Sequence, residues 1–159
     1  MEKFTFFWSG VFSQWYASDF IVDGQKYSCA EQYMMYKKAL LFNDEDVANA
    51  IMRTNDPSEQ KRLGRKVRGF NGKIWEDNCK KIVYDGSYAK FTQNEKMKEK
   101  LMDTEGTTLV ESSPKDFIWG IGLHKTDPKA KDRTQWKGTN WLGEILTKLR
   151  EDLKSESND

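Results

Sequence analysis

Histidine and cysteine are scarce in this chain of 159 residues, which contains one histidine, His124, and two cysteines, Cys29 and Cys79. The cysteines stand fifty positions apart and form no pair motif, so we expect free thiols. A zinc site needs a cluster of histidine and cysteine ligands that this composition cannot supply. A Ser-His-Asp triad would have to use His124, which has no nucleophile-elbow motif beside it. We therefore predict no metal site, no cofactor and no histidine-dependent triad.

Long apolar runs and phosphate-binding loops are also lacking. No apolar stretch approaches the ~20 residues that span a bilayer, and the segment Met1-Glu2-Lys3-Phe4 lacks the apolar core of a signal peptide. No Walker-type loop is present, and Gly120-Ile121-Gly122 lacks the third glycine of a dinucleotide fingerprint. The sequence therefore predicts a soluble, cytoplasmic protein that makes no use of a membrane.

Neither sign of charge dominates: the chain contains 26 lysines and arginines and 25 aspartates and glutamates, which gives a net charge of +1. A protein that coats a nucleic-acid duplex is usually far more basic, since each phosphate contact needs a cation. Aromatic residues reach 13%, which excludes a disordered chain, and the length suits one domain. We predict a single compact domain over residues 1–153 and a frayed polar tail over residues 154–159.

The spacing of apolar residues predicts a mainly α-helical fold with a small N-terminal β element. Strands are expected at residues 4–8 and 107–111, and a hairpin at residues 20–27 turns at Asp23-Gly24. Residues 124–139 are poor in apolar side chains, which predicts a mobile loop. Helices are predicted to begin near Ser28, Asn43, Asp56, Ile74, Asn94 and Asn140.

Glu31 and Lys38 are the first candidate pair for chemistry. They stand seven residues apart on one predicted helix, which places them on one face, about 10.5 Å apart along the axis. A structural interpretation competes with this one, because Ser28 and Glu31 have the spacing of a capping box. Lys38 by itself is typical of a surface lysine whose stem packs on apolar neighbours. Periodicity leaves both interpretations open.

Six cations and no acid lie between Lys61 and Lys73. Such an excess suits a phosphate ester or a pyrophosphate, because arginine offers two parallel donors to phosphate oxygens. The alternative is a solvated helix face. Two further strings combine rings with glycines, which allow a backbone to approach a ligand closely. They are residues 116–122 and residues 136–140, and each is unspecific alone.

Taken in order, these strings resemble the NADAR family, which is named for links to NAD and ADP-ribose and includes riboflavin-intermediate N-glycosidases. The resemblance covers residues 4–153. The pieces that carry it are Asp23-Gly24, Ser28-Cys29-Ala30-Glu31-Gln32-Tyr33-Met34, Lys38-Ala39, Gly64-Arg65, Trp75, Lys90-Phe91, Thr104, Leu109-Val110-Glu111, Asp116, Trp119-Gly120-Ile121-Gly122, Trp136-Lys137-Gly138-Thr139-Asn140, Leu142-Gly143 and Arg150.

The resemblance implies hydrolysis of an N–C1′ glycosidic bond between a ribose and an amine or base, with no metal required. It implies catalytic roles for Glu31, Lys38, Trp75 and Asp116. The substrate-binding residues that go with it are Tyr33, Arg65, Trp119, Gly120, Gly122, Trp136 and Asn140. Lys38 either attacks the opened sugar as an amine or only orients other groups, and the sequence leaves this open.

Three functions follow from the resemblance. The first is an N-glycosidase acting on 5′-phosphorylated ribosylamino-pyrimidine intermediates of riboflavin synthesis, which are small molecules. The second removes ADP-ribose from guanine in nucleic acid, and the third is a non-catalytic module that binds ADP-ribose. A net charge near zero favours the small substrate, and a mere binding module has no need of paired acids. The sequence gives no indication of an oligomeric state.

Overall fold

The computed structural model describes residues 1–157, which form six α-helices and four short strands. None of these helices is long and apolar enough to cross a membrane. The strands are β1 (Phe4–Phe7), β2 (Phe20–Val22), β3 (Gln25–Tyr27) and β4 (Thr108–Glu111). The helices are α1 (Ala30–Leu41), α2 (Glu45–Met52), α3 (Pro57–Gly64), α4 (Gly72–Thr92), α5 (Glu95–Met102) and α6 (Trp141–Ser157). The predicted fold class, mainly helical with a small β element, is confirmed.

The chain divides into two compact units. Unit 1 comprises Met1–Ser13 and the residues from Glu95 onward, and unit 2 is the continuous segment Gln14–Asn94. In unit 1, β1 pairs with β4 in parallel, with Phe4 opposite Thr108 and Phe7 opposite Glu111. Helix α6 packs against β4, so that one amphipathic helix covers this strand.

Unit 2 is built around α1, which contacts α2, α3, α4 and β3. The β2–β3 hairpin turns at Asp23 and Gly24, which both have positive φ as a tight two-residue hairpin turn requires. The hairpin delivers Phe20 and Tyr27 to a buried cluster. Tyr33 of α1 completes that cluster, with its ring centroid 5.0 Å from that of Tyr27.

Two predicted helix starts are wrong by one residue. The residue that precedes α1 is Cys29 rather than Ser28, and it makes no side-chain cap hydrogen bond. The Ser28 hydroxyl instead donates to Gln32 Oε1 at 3.1 Å, because the longer Gln32 side chain reaches back over the first turn. Helix α2 is capped by Asp44, whose carboxylate accepts from the backbone N–H of Val47.

Two other expectations are corrected within unit 1. Residues 124–139, for which the sequence predicts a mobile loop, contain two short 3₁₀ turns, Pro128–Lys131 and Arg133–Gln135, each preceded by a capping aspartate. Ala130 of the first turn is fully buried. The expected frayed tail is helical as far as Ser157, where α6 ends, and Lys154 forms an ion pair with Glu105. Residues 158 and 159 lie outside the described residues.

Close packing of α1 on α4 generates a stability prediction. A Cβ added at Gly86 would lie 2.6 Å from the buried Tyr33 ring, so we expect Gly86→Ala to lower the free energy of unfolding by ~1–3 kcal/mol. Urea denaturation measures this change. Gly72→Ala on the same helix is the matched control, because its Cβ would meet nothing nearer than 3.9 Å. Equal effects of the two substitutions would contradict the packing argument.

Candidate functional site

The face of α1 that carries Glu31 and Lys38 forms the centre of the candidate site. Glu31 lies in the first turn of α1 and is only 4% exposed. Its backbone N–H donates to the Gln14 carbonyl at 2.9 Å, which fixes the start of the helix to the preceding loop. Lys38 is half-buried two turns further along the same face. A buried carboxylate and a half-buried amine therefore share one helix face, as the sequence predicts.

Two aromatic rings flank the ammonium group of Lys38. Its Nζ lies 4.8 Å from the ring centroid of Phe70 and 5.6 Å from that of Trp75, which α4 presents from its first turn. Burial lowers the pKa of Lys38 below its usual value; Glu31 opposes this shift, and Arg65 adds to it. The lysine is therefore easier to deprotonate than an exposed one.

Phe70 is a site residue that the sequence does not reveal. It lies in the connection between α3 and α4, where no helical or strand periodicity marks a buried or a functional position. Its ring is exposed and packs against Phe42 with centroids 5.4 Å apart. The only available signal was its place within the run of cations that ends at Lys73.

The cation run from Lys61 to Lys73 is half neutralised by ion pairs. Arg62 pairs with Glu59, and Lys73 with Asp77, while Arg68 pairs with Asp44 and Asp46. The other three cations form no ion pair within residues 1–157: Lys61, Arg65 and Lys66. Of these, Arg65 is close enough to Lys38 to influence its pKa, so it remains the candidate phosphate ligand.

Lys90 is a second lysine with perturbed chemistry, but it is closed to solvent. It is 1% exposed on α4, with its Nζ 5.1 Å from the ring centroid of Phe91 and 5.9 Å from that of Tyr16. Burial lowers the pKa of Lys90 to about 7. Lys38, which is half-buried, is the more accessible of the two lysines.

Tyr33 does not join the Glu31 and Lys38 face. Its ring belongs to the core cluster with Phe20 and Tyr27. Burial raises the pKa of the Tyr33 hydroxyl to about 12. The predicted role of Tyr33 in substrate binding therefore finds no support in its position, and the proposed site leaves it out.

The remaining predicted site residues lie in unit 1. Asp116 is half-buried, and its Oδ1 accepts hydrogen bonds from the backbone N–H groups of Ile118 and Trp119 at 3.0 and 2.8 Å. These two bonds fix the turn that opens the glycine-rich string. Trp119 is half-buried and packs edge-on against Trp141, with ring centroids 5.7 Å apart.

The glycines of this string are explained by close backbone packing. A Cβ on Gly120 would lie 2.8 Å from the Glu111 carbonyl oxygen, and Gly122 has a φ of +70° with the Phe117 ring against it. The Ile121 carbonyl accepts from the backbone of residues 137 and 138. A structural requirement therefore accounts for both glycines without a ligand.

Trp136 and Asn140 are likewise held by their own unit. The Trp136 indole N–H donates to the Ala130 carbonyl at 2.8 Å, and its ring packs between Phe4 and Arg133. Asn140 is 0% exposed, and its amide donates to the Leu109 carbonyl and accepts from the Glu111 N–H. Trp136 is thus held by its own segment and by β1, and Asn140 fastens the chain to β4, so the proposed site leaves them out too.

The structure thus brings together four of the predicted residues, Glu31, Lys38, Arg65 and Trp75, and adds Phe70 to them. Among residues 1–157, no group of three or more histidine, cysteine, aspartate or glutamate side chains has an arrangement that would hold a metal ion. Both cysteines are free and buried, and burial raises the pKa of each thiol. Neither is therefore a ready nucleophile.

Comparison with known proteins gives one consistent family. The NADAR domain matches residues 6–154. The N-glycosidase R617 of Acanthamoeba polyphaga mimivirus is 42% identical over 147 residues, which cover 89% of this chain and 86% of that protein. Protein irg-1 of Caenorhabditis elegans is 45% identical over 130 residues, which cover 80% of this chain; the chain spans 61% of irg-1, less than two thirds of its length.

The N-glycosidase YbiA of Escherichia coli is 32% identical over 147 residues, which cover 92% of this chain and 83% of that protein. Its NMR structure superimposes with a TM-score of 0.82 and covers all of this chain and 90% of that one. The domain match extends over nearly the whole length, and two relatives above 30% identity are matched over more than four fifths of their own length. The chain therefore belongs to the NADAR family.

Proposed function

We propose that this protein hydrolyses the N–C1′ bond of a small phosphorylated N-riboside, most simply a ribosylamino-pyrimidine intermediate of riboflavin synthesis. The observation that carries the proposal is the α1 face, where a buried Glu31 and a Lys38 of lowered pKa lie beside aromatic rings. The enzyme class has independent support. Family membership and two relatives named N-glycosidases confirm a hydrolase acting on N-glycosyl bonds.

Glu31 supplies the negative charge that the reaction needs at C1′. As the N–C1′ bond breaks, positive charge develops at C1′ and the ring oxygen, and the departing nitrogen takes up a proton. A carboxylate shielded from water stabilises such a centre more strongly than an exposed one, and it can also deprotonate the attacking water. The 4% exposure of Glu31 supplies this shielding.

Trp75 and Phe70 provide aromatic surface for the planar base. Phe70 is 49% exposed and Trp75 is half-buried, which leaves part of each ring accessible to a ligand. Stacking on an aromatic side chain is worth ~1–3 kcal/mol per base. We assign Trp75 the role that the family resemblance implies and add Phe70 as its neighbour.

Arg65 is the proposed ligand of the substrate phosphate. It is exposed, forms no ion pair within residues 1–157 and influences the pKa of Lys38. A guanidinium can donate two parallel hydrogen bonds to phosphate oxygens. Asp116, in unit 1, is kept as a second proposed acid on the resemblance alone.

The direct test presents two substrates to the purified protein. We expect release of the free pyrimidine from a 5′-phosphorylated ribosylamino-pyrimidine, followed by mass spectrometry, and slower release of ADP-ribose from ADP-ribosylated guanosine. Faster turnover of the second substrate would contradict this proposal and support the alternative function, removal of ADP-ribose from guanine. Binding of ADP-ribose without any turnover of either substrate would favour a non-catalytic module.

We expect Glu31→Gln to reduce turnover at least ~100-fold, because the amide keeps the shape of the carboxylate but carries no charge. The free energy of unfolding should change by no more than ~1 kcal/mol. Glu45→Gln is the matched control, since Glu45 lies in the first turn of α2 but is exposed. Near-wild-type activity of Glu31→Gln would reject the catalytic role of this residue.

Two mechanisms differ in the role they give to Lys38: a nucleophilic amine or a group that only orients others. If its neutral amine attacks the opened sugar, water leaves, a C=N bond to Nζ forms, and water later hydrolyses it. We expect borohydride added during turnover to trap a sugar adduct on Lys38, and Lys38→Arg to be inactive because a guanidinium stays charged. Lys37→Arg, the adjacent half-buried lysine, is the control and should remain active. An unmodified Lys38, or an adduct on Lys90, would reject this mechanism.

A further inference from the structure

A cavity of about 440 Å³ in unit 1 lies at the carboxyl ends of the two parallel strands. Strand β1 ends at Phe7 and β4 at Glu111, and the residues that follow them, Trp8 and Ser112, line the cavity. The volume falls within the range of small-molecule sites, about 300–1,000 Å³.

The cavity combines aromatic surface with hydrogen-bond donors of positive charge. Trp8 is 53% exposed, and the ring of Phe12 packs against Phe7 to form an apolar wall. Lys100 and Lys125 line the cavity, and neither forms an ion pair within residues 1–157. No acidic side chain belongs to the lining. The cations are therefore free to meet an anion.

His124 adds a polar ring to this lining. Its Nδ1 is already occupied by Thr126, whose hydroxyl and backbone nitrogen lie 2.8 and 3.2 Å away, so Nε2 is the ring nitrogen available to a ligand. The imidazole lies edge-on to the Trp8 indole, with ring centroids 5.9 Å apart at 82°. The two rings are therefore nearly perpendicular and do not stack on each other.

We infer that this cavity binds a free mononucleotide-like ligand, in which a planar base stacks on Trp8 and a phosphate monoester meets Lys100, Lys125 and His124. Stacking requires an exposed aromatic ring, and the phosphate requires cations without competing acids; Trp8 is 53% exposed, and the lining contains two lysines and no acid. The inference goes beyond the proposed function, since none of the residues proposed for catalysis lines this cavity.

Adenosine 5′-monophosphate is the probe for this site. We expect it to quench tryptophan fluorescence saturably, with a Kd below about 1 mM that weakens as salt is added. Trp8→Phe should remove most of the quenching, whereas Trp15→Phe, at an exposed tryptophan outside the cavity, should not. Adenosine without phosphate should bind at least about tenfold more weakly, because hydrogen bonds to charged groups are the stronger ones.

Charge variants supply the decisive comparison. Lys100→Gln combined with Lys125→Gln should weaken binding at least about tenfold. The matched pair Lys129→Gln and Lys131→Gln, on the nearby 3₁₀ turn but outside the cavity lining, should leave it unchanged. The inference is overturned by any one of four results: no saturable binding, equal affinity for adenosine, loss of binding in Glu31→Gln, or tighter binding of a single-stranded oligonucleotide than of the mononucleotide.

Discussion

Burial of helix α1 on several sides is the constraint on which unit 2 depends. Six consecutive residues at its start, 30–35, are buried, although an ordinary surface helix buries one stripe. Two neighbouring helices each carry a glycine at a point of close approach to α1. A Cβ at Gly64 of α3 would lie 2.1 Å from Met35 Sδ, and one at Gly86 of α4 would meet Tyr33. Glu31 is buried because it stands within this segment.

Unit 1 depends on backbone contacts instead. The segment that follows β4 folds back so closely that carbonyl oxygens of residues 117–121 accept from the backbone of residues 137–142. Side chains are excluded from this contact, which explains why glycines recur in the string after Asp116. The same string was interpreted from the sequence as a ligand-binding motif. Close backbone packing and close approach of a ligand both require a residue without a side chain, so the sequence cannot distinguish them.

The sequence allowed the fold class, the hairpin, the six helices and the Glu31–Lys38 face to be predicted, because each rests on local periodicity or turn chemistry. The start of α1 was misplaced because a tertiary contact decides it. Gln32 spans from Ser28 to the carbonyls of Ile51 and Thr54, and no local pattern reveals such a reach. Phe70 was missed because it lies in a connection without periodicity. Trp136 and Asn140 were predicted to bind substrate because the sequence motif alone does not distinguish a side chain that contacts a ligand from one that contacts the protein backbone.

The parallel pairing of β1 with β4 joins residues about a hundred positions apart in the chain. Closing so long a loop costs conformational entropy before any contact compensates for it, and non-local pairing slows folding. Residues 14–94, by contrast, form a continuous unit whose contacts are all available once that segment has been synthesised. On the ribosome, the helices around Glu31 can therefore assemble while β1 is still unpaired, because β4 has not yet been synthesised. We therefore expect β1, the first strand of the chain, to be among the last elements to form its native contacts.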